Sequence, residues 1–278
     1  MTELDQLPEN TWLSKEFCNR WSGRLVVDGK YVKVKGYEKK IPFIYGIDFL
    51  THDIPVGILA PSENEHAFTK FFNLLHTIGY PLQIVICDDV SALKPALRLV
   101  YPTVPIQLCH THYFESLRQY LSIRTDEKYR LFFAELKGAF HAKNHYHKRQ
   151  AWLRRILSVY GKHDPTIQAI MADVMNRYDL LFAFNSDFRK HCPNTTNIIE
   201  SYNSHLQGRL KSIKGFQSFH SAERWLNAWM LRRRTKTLTD CGQPFKHLNG
   251  TMPIQNSMKK DANVASILLL LTSKKHLK

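Results

Sequence analysis

The order of strand-like and helix-like segments in the first 121 residues restricts the fold more than any other feature of this sequence. Three segments rich in β-branched and aromatic residues come first, separated by short polar turns, which predicts an antiparallel meander. Helical segments then alternate with two short apolar strands, which is the pattern of parallel βα units. The sequence therefore predicts an α/β fold with a mixed sheet covered by helices on both faces. The predicted strands are Arg24–Val34, Ile41–Phe49, Ile54–Ala60, Leu82–Cys87 and Pro105–Cys109, and the predicted helices are Ser62–Ile78, Ser91–Val100 and His112–Leu121.

The region from Thr125 to Lys190 has no strand signal, and Leu, Phe, Ile and Met recur in it at helical spacing. We interpret it as an all-helical insertion. Beyond Cys241 the periodicity fades, which predicts an extended or weakly ordered tail. The predicted organisation has five segments: an N-terminal segment 1–23, a first part of the core 24–124, the insertion 125–190, a second part of the core 191–240 and the tail 241–278. The predicted helices of the insertion are Tyr129–Phe140, Arg149–Tyr160 and Pro165–Phe184. Those of the second part of the core are Ile198–Leu210 and Ser218–Arg234.

The charge balance points to a polyanionic partner. The chain has 39 Lys and Arg residues against 24 Asp and Glu residues, a formal net charge of +15, and its pI is about 9.6. Nucleic acid is the partner that such a balance favours, although many solvated surfaces are basic without binding a polyanion.

Cysteine usage and hydropathy indicate the compartment. The five cysteines are scattered and include no C-x-x-C pair, so neither a disulfide framework nor a zinc ribbon is indicated. The apolar run Ile267–Leu271 is far too short to span a bilayer, and the N-terminal residues have no signal-peptide pattern. We expect a cytoplasmic, nucleoid-associated protein with no membrane partner.

Three acidic residues stand where metal-dependent chemistry on a phosphodiester would need them. The strand order is similar to that of the ribonuclease H-like fold, in which three carboxylates at the central strands and the last helix hold two Mg²⁺ ions. Asp28 lies within the first strand, Asp88 follows the fourth, and Glu200 lies in the helix after the insertion. Mg²⁺ prefers oxygen ligands, and two ions about 4 Å apart can clamp the attacking and leaving oxygens of a phosphodiester.

Each of these residues also has an ordinary structural interpretation. Asp28-Gly29 is a hairpin signal, although a continuous strand with its turn at Gly36 gives two arms of comparable length. Asp88 has Asp89 beside it, and one of the two is expected to cap the next helix. Taken alone, Glu200 is an ordinary helical glutamate.

Several motifs resemble those of the Mutator-type DDE transposases of bacterial insertion sequences. The most specific is Thr195-Thr-Asn-Ile-Ile-Glu-Ser-Tyr-Asn203, followed by Arg209-Leu-Lys-Ser-Ile-Lys-Gly-Phe-Gln-Ser-Phe219. Asp28–Val34 resembles the first-carboxylate strand of the family, Ile86–Leu93 its second-carboxylate turn, and Gln107–His112 its C-x-x-H element. The resemblance runs from the first strand to about Arg234.

The resemblance implies a function and a site. It implies a DNA transposase with an RNase H-like catalytic core, in which Asp28, Asp88 and Glu200 are the catalytic triad and bind Mg²⁺, with Mn²⁺ as a substitute. It also implies double-stranded DNA, both transposon ends and target, as the substrate, and a homodimer. The 112-residue spacing from Asp88 to Glu200 is similar to that of the insertion-bearing branch.

Cys109 and His112 form the C-x-x-H pair, which supplies two ligands of a possible zinc site. The cluster of His141, His145 and His147 could contribute further ligands. We favour the alternative that the Cys109–His112 pair orders the strand end near Asp88 and that His112 contacts DNA or a metal-binding carboxylate.

Basic residues in the insertion and after Glu200 are candidates for phosphate contacts. Trp225 and Trp229, four residues apart, are expected to pack in the core and not against bases. The candidate phosphate-binding residues are Lys148, Arg149, Arg154, Arg155, Arg209, Lys211, Lys214, Arg232, Arg233, Arg234 and Lys236.

The beginning of the chain departs from the family pattern. Only 23 residues precede Arg24, and no helix-turn-helix fits there. Two alternatives to a transposase therefore stay open: an inactive or truncated DNA-binding derivative that acts as a regulator, and an RNase H-like nuclease that cuts without joining.

Overall fold

The computed structural model describes residues 3–141, 146–185 and 192–272. Within it the chain forms two compact units. Unit 1 comprises Met1–Ile106 and Thr196–Lys278, and unit 2 comprises Gln107–Thr195. Unit 2 therefore begins earlier than the helical insertion predicted at 125–190, and it also ends slightly later.

Unit 1 is built on a mixed β-sheet whose strand order is β3-β2-β1-β4-β5, with β5 at the point where the chain passes into unit 2. Strand β1 pairs antiparallel with β2 and parallel with β4, and β2 pairs antiparallel with β3. This mixed sheet, flanked by helices, is consistent with the expected RNase H-like core. The strands are β1 (Arg24–Val32), β2 (Ile41–Asp48), β3 (Gly57–Leu59), β4 (Ile84–Cys87) and β5 (Ile106–Leu108).

Helices complete both units. In unit 1, α9 packs against β1 and β2, and α10 packs against β3 and α1. Every residue of β2 is buried, as expected for a strand covered on both faces. The helices of unit 1 are α1 (Asn10–Phe17), α2 (Glu65–Thr77), α3 (Leu93–Val100), α9 (Asn197–Ile213), α10 (Phe219–Thr235), α11 (Pro253–Ser257) and α12 (Val264–Thr272), and those of unit 2 are α4 (His110–Tyr120), α5 (Arg130–His141), α6 (Tyr146–Tyr160), α7 (Pro165–Asn176) and α8 (Tyr178–Leu181).

Strand β1 runs without interruption through Asp28 and Gly29, which excludes the hairpin interpretation of this dipeptide. The third strand is shorter than predicted because the chain pairs with β2 only from Gly57 onward, past the proline that lacks an N–H group. Helix α2 begins at Glu65, later than the predicted Ser62, and the side chain of Asn64 caps it by accepting from the amide of Ala67.

The segment after Cys241 does not match the prediction of weak order. It contains α11 and α12, and the carbonyl oxygen of Ser257 accepts from the amides of Asn19 and Arg20 at 3.0 and 2.9 Å. Ile254 is fully buried. Short helices with few apolar residues show little periodicity, so their order depends on these contacts with distant parts of unit 1.

Candidate active site

Asp28 lies in the middle of β1 and is half-buried. Its Oδ1 accepts a hydrogen bond from the amide of Gly29 at 2.7 Å. Its Oδ2 accepts one from Nδ2 of Asn203, on α9, at 2.5 Å. Both carboxylate oxygens are therefore oriented by donors of the same unit.

Asp88 follows the last residue of β4. The parallel register pairs Arg24 with Ile84 and Val26 with Ile86. Asp28 and Asp88 each lie two residues beyond the last pair, at the same end of the paired part of β1 and β4.

Asp89 does not cap the next helix as predicted. It forms an ion pair with Lys94, with 2.6 Å between Oδ1 and Nζ, and both side chains are substantially exposed. The N-cap position of α3 is Ala92, without a side-chain hydrogen bond. Of the two neighbouring aspartates, Asp88 is thus the one associated with the sheet end.

Glu200 lies in the first turn of α9 and is half-buried. Its Oε1 accepts a hydrogen bond from the hydroxyl group of Thr196 at 3.0 Å. Asn203 stands three residues further along, so it shares a helix face with Glu200. Because Asn203 contacts Asp28, this face of α9 is the one that meets β1.

A buried tyrosine fixes the orientation of Asn203. The Tyr45 hydroxyl group donates to Oδ1 of Asn203 at 3.0 Å, which leaves the amide nitrogen to donate to Asp28. Tyr45 is the β2 residue paired with Asp28, and its ring packs edge-on against Trp229. Burial and then the charge of Asp28 raise the pKa of Tyr45 well above its usual value, so its hydroxyl group stays protonated.

Sequence reasoning missed Tyr45 and Asn203. A signal for Asn203 was present, since it shares helical phase with the buried Ile199 and Leu206. Asp28, Asp88 and Glu200 are all carboxylates, and carboxylate oxygens are ligands that hard divalent cations such as Mg²⁺ or Mn²⁺ prefer.

The C-x-x-H element belongs to unit 2. Cys109 is buried at the N-cap position of α4, and His112 is exposed on that helix. Of the three further histidines, His141 and His147 are exposed, and His145 lies outside the described residues. A zinc site and a contact of His112 with DNA both stay predictions.

Among the described histidines of unit 2, His110 is buried, and sequence reasoning did not single it out. One of its ring nitrogens lies 2.6 Å from the carbonyl oxygen of Leu181 and the other 3.1 Å from the amide nitrogen of Asn194. Its ring also packs edge-on against Phe140 and Phe184. These contacts connect the start of α4 to α5 and to the end of α8.

We expect the stability of unit 2 to fall as the pH falls from about 6.5 to 4. Burial lowers the pKa of His110 from 6.5 to about 4, despite the opposing hydrogen bond to Leu181. The neutral ring is therefore favoured in the folded state, and this contribution is complete above pH 6.5 and lost toward pH 4. By linkage the loss amounts to about 3 kcal/mol.

Urea unfolding followed by circular dichroism between pH 4 and 7.5 measures this dependence. His110→Gln should flatten the acid limb of the stability curve, whereas His147→Gln, an exposed control, should leave it as in the wild type. Equal slopes in wild type and His110→Gln would contradict the assignment.

Most of the predicted phosphate-binding residues have exposed side chains. Arg233 is half-buried, with its guanidinium group 4.4 Å from the ring centre of Tyr202. The exposed residues are Lys148, Arg154 and Arg155 in unit 2, and Arg209, Lys211, Lys214, Arg232 and Lys236 in unit 1.

Arg149 is a correction to that prediction. Only 1% of its surface is exposed. Its Nε donates to the carbonyl oxygen of Ala139 at 3.3 Å, and its guanidinium group lies 4.4 Å from the ring centre of Phe182. These internal contacts within unit 2 leave it no exposed surface for a phosphate.

Arg234 is a second correction, since its side chain is fully buried in unit 1. Its Nε and Nη2 each donate to a carboxylate oxygen of Asp53 at 2.8 Å. Its Nη1 donates to Oδ1 of Asn10 and to Oγ of Ser14, both at 2.9 Å. Arg234 thus joins α10 to α1 and to the turn after β2.

The described part of the chain contains no helix that is both long and apolar enough to cross a bilayer. A sequence profile of the family described as "Transposase, Mutator family" matches residues 10–235. The transposases for insertion sequence element IS256 in transposon Tn4001 from Staphylococcus aureus and from Enterococcus faecalis (strain ATCC 700802 / V583) are each 24% identical to this chain over 238 residues. The match covers 83% of this chain and 60% of each relative, so the chain spans about three fifths of the length of these relatives.

Proposed function

Because this chain belongs to the Mutator family of transposases, we propose that it cleaves DNA at the ends of an insertion sequence and joins the freed 3′-OH ends to target DNA. The observation that supports this most directly is the parallel β1–β4 register, whose last pair, Val26 and Ile86, lies two residues before Asp28 and Asp88. Asn203, which shares a face of α9 with Glu200, donates a hydrogen bond to Asp28 on β1. The helix face that carries Glu200 therefore lies against β1. These two observations support a common site for Asp28, Asp88 and Glu200, which come from distant parts of the chain.

In this proposal Asp28, Asp88 and Glu200 hold two divalent cations, Mg²⁺ or Mn²⁺. Bound ions of this kind polarise the phosphodiester and stabilise the attacking and leaving oxygens. The role of the protein is to hold the carboxylates in a fixed orientation. The donors on Asp28 and the bond from Thr196 to Glu200 do so before any substrate binds.

The proposed substrate is double-stranded DNA, and the exposed basic residues are the proposed phosphate contacts. The relatives are named as transposases of an insertion sequence in a transposon, which is the reason for proposing element ends and target DNA. On the same family grounds we propose a homodimer that holds paired ends and works at the nucleoid.

Incubating the full chain with labelled duplexes that carry the ends of the flanking element tests the proposal. With Mg²⁺ or Mn²⁺ we expect nicking at the element end, followed by products joined to a second duplex, and no reaction in EDTA. Cleavage without joining would replace the proposal with a nuclease of the same fold. Salt-sensitive binding without cleavage under either metal would replace it with a regulator.

Replacing Asn203 by alanine is expected to lower the cleavage rate about 10- to 100-fold, the usual effect of removing a partner of a metal-binding carboxylate. The substitution removes the donor to Asp28 and the acceptor of the Tyr45 hydroxyl group. The Mn²⁺ concentration for half-maximal cleavage should rise as well. Ser204→Ala, at the neighbouring exposed position, is the control. If Asn203→Ala had wild-type Mn²⁺ dependence, Asn203 would have no positioning role.

A further inference from the structure

Beyond the three carboxylates, β1 and α9 continue side by side and line a groove of about 230 Å³ in unit 1. The β1 side contributes Lys33, and α9 and its C-cap contribute Lys211 and Lys214; Lys40 precedes β2. We call this the lysine groove. It is formed by the same two elements that carry Asp28 and Glu200.

The end of α9 is tied directly to the end of β1. The amide of Phe216 donates to the carbonyl oxygen of Lys33, and the amide of Lys35 donates to that of Phe216, both at 2.8 Å. Gly215, which directly precedes Phe216, has φ +135°, and a Cβ atom on it would lie 3.4 Å from the Lys33 carbonyl oxygen. Backbone pairing therefore fixes the walls of the lysine groove.

Lys214, the C-cap residue of α9, has a left-handed backbone with φ 58°. Glycine or asparagine is usual at such a helix end, because a Cβ atom makes the left-handed region unfavourable. A lysine at this position retains a strained backbone, and Lys214 is one of the residues that line the lysine groove.

The groove is strongly cationic. The residues that line it include four lysines and no Asp or Glu. Within the described part of the chain, none of these four ammonium groups makes an ion pair. One carboxylate lies close by, that of Glu63, which accepts a hydrogen bond from the hydroxyl group of the lining residue Tyr31. The surplus of positive charge suits a polyanion that runs along the groove.

The distance from the carboxylates follows from element geometry. Tyr31 and Val32 at the end of β1, and Lys33 directly after it, lie three to five residues beyond Asp28, which is about 10–17 Å. The groove residues of α9 lie seven to thirteen residues beyond Glu200, which is about 10–20 Å. One DNA strand advances about 3.4 Å per nucleotide, so the range that both elements share, about 10–17 Å, corresponds to about three to five nucleotides.

We propose that the lysine groove binds the sugar–phosphate backbone of one DNA strand about three to five nucleotides from the scissile phosphate. The inference rests on the proposed function, because it takes the three carboxylates as the point of cleavage. The groove contacts phosphates and not bases, so it holds the strand in position irrespective of sequence.

The double variant Lys33→Gln/Lys211→Gln tests the groove through the salt dependence of DNA binding by the full chain. Two lost phosphate contacts should lower the slope of log K against log salt by about 1.8, and affinity at 0.1 M salt by about 60-fold. The matched control, Lys246→Gln/Lys260→Gln, removes two exposed lysines elsewhere in unit 1. Equal effects of the two pairs would overturn the inference.

Neutral methylphosphonate links locate the contact on the DNA. Placed three to five nucleotides from the cleavage site, they should weaken binding of the wild type much more than binding of the Lys33→Gln/Lys211→Gln variant. A loss of the same size in both proteins overturns the groove contact. If the wild type cleaves and joins DNA normally in that case, the proposed function stands and only the groove is rejected; wild type without salt-dependent DNA binding rejects both.

Lys214→Gly separates an effect on DNA binding from an effect on folding, because it should raise thermal stability and lower DNA affinity. Relief of the left-handed backbone should raise the midpoint of thermal unfolding. Loss of one phosphate contact should lower affinity at 0.1 M salt about eightfold, and Lys214→Arg, which keeps the charge, should bind as the wild type does. Higher thermal stability of Lys214→Gly with unchanged affinity would overturn the role of Lys214.

Discussion

Asp88→Asn is expected to lower the rate of DNA cleavage by about 10³-fold or more, equivalent to about 4 kcal/mol of transition-state stabilisation. Asparagine has nearly the shape of aspartate, so the substitution removes the negative charge with little change in packing. Asp88 follows β4, two residues beyond the last β1–β4 pair, as Asp28 does on β1. Removing one of these charges weakens the binding of a divalent cation and leaves the developing charge on the phosphodiester less stabilised.

The neighbouring residue supplies a matched control. Asp89→Asn makes the same chemical change one residue away, where the carboxylate pairs with Lys94 at the surface. We expect less than about a twofold change in cleavage and almost none in stability, since exposed ion pairs contribute little. A single-turnover cleavage assay with saturating DNA measures both variants. Similar losses in the two would remove Asp88 from the proposed active site.

Arg234→Met is expected to lower the free energy of unfolding by about 3–5 kcal/mol, because it leaves the charge of Asp53 buried without its partner. Both side chains of this pair are fully buried. The hydrogen bonds from Arg234 to Asn10 and Ser14 are lost at the same time. For a unit of this size the midpoint of thermal unfolding should fall by on the order of 10 °C.

Thermal unfolding of two further variants separates this loss from a general effect of removing an arginine. Arg232→Met, two residues earlier and exposed, should change stability by no more than about 0.5 kcal/mol. Adding Asp53→Asn to Arg234→Met should restore part of the loss, because the remaining buried group is then neutral. A small effect of Arg234→Met, or no recovery in the double variant, would show that the pair does not stabilise unit 1.

The order of strands and helices could be predicted because period-two and helical spacing determine it locally. The sequence predicted that β1 continues through Asp28, because a turn at Gly36 gives two strands of comparable length. The structure confirms this prediction. The core position of Trp229 followed from its spacing with Trp225, and the structure packs it against Phe43 and Tyr45.

What the sequence did not reveal depends on contacts between distant residues. Arg234 was predicted to contact phosphates as one of the basic residues after Glu200, yet it shares helical phase with the buried Leu226 and Met230. The buried acid that makes its burial possible, Asp53, lies 181 residues away. Pairing of this kind has no local signal, and the same is true of the contacts that order α11.

The boundary between the two units could not be predicted from the local sequence pattern either. Strand β5 and helix α4 have the spacing of an ordinary βα unit, which assigned them to the core. Their contacts place the boundary at Ile106 and Gln107 instead. Gln107 illustrates the reason, since its side chain bonds the carbonyl oxygen of Leu181 and the amide of Phe184, both in unit 2.

The insertion of unit 2 into unit 1 has a consequence for the order of events during synthesis. Strand β4 is synthesised 113 residues before Glu200, a delay of roughly 5 to 20 s at ordinary rates of translation. During that time β1 and β2 lack the helix α9 that covers them. The nascent chain therefore exposes an apolar sheet face to which chaperones can bind and through which it can aggregate. We also expect residues 107–195 to have time to fold before unit 1 is complete.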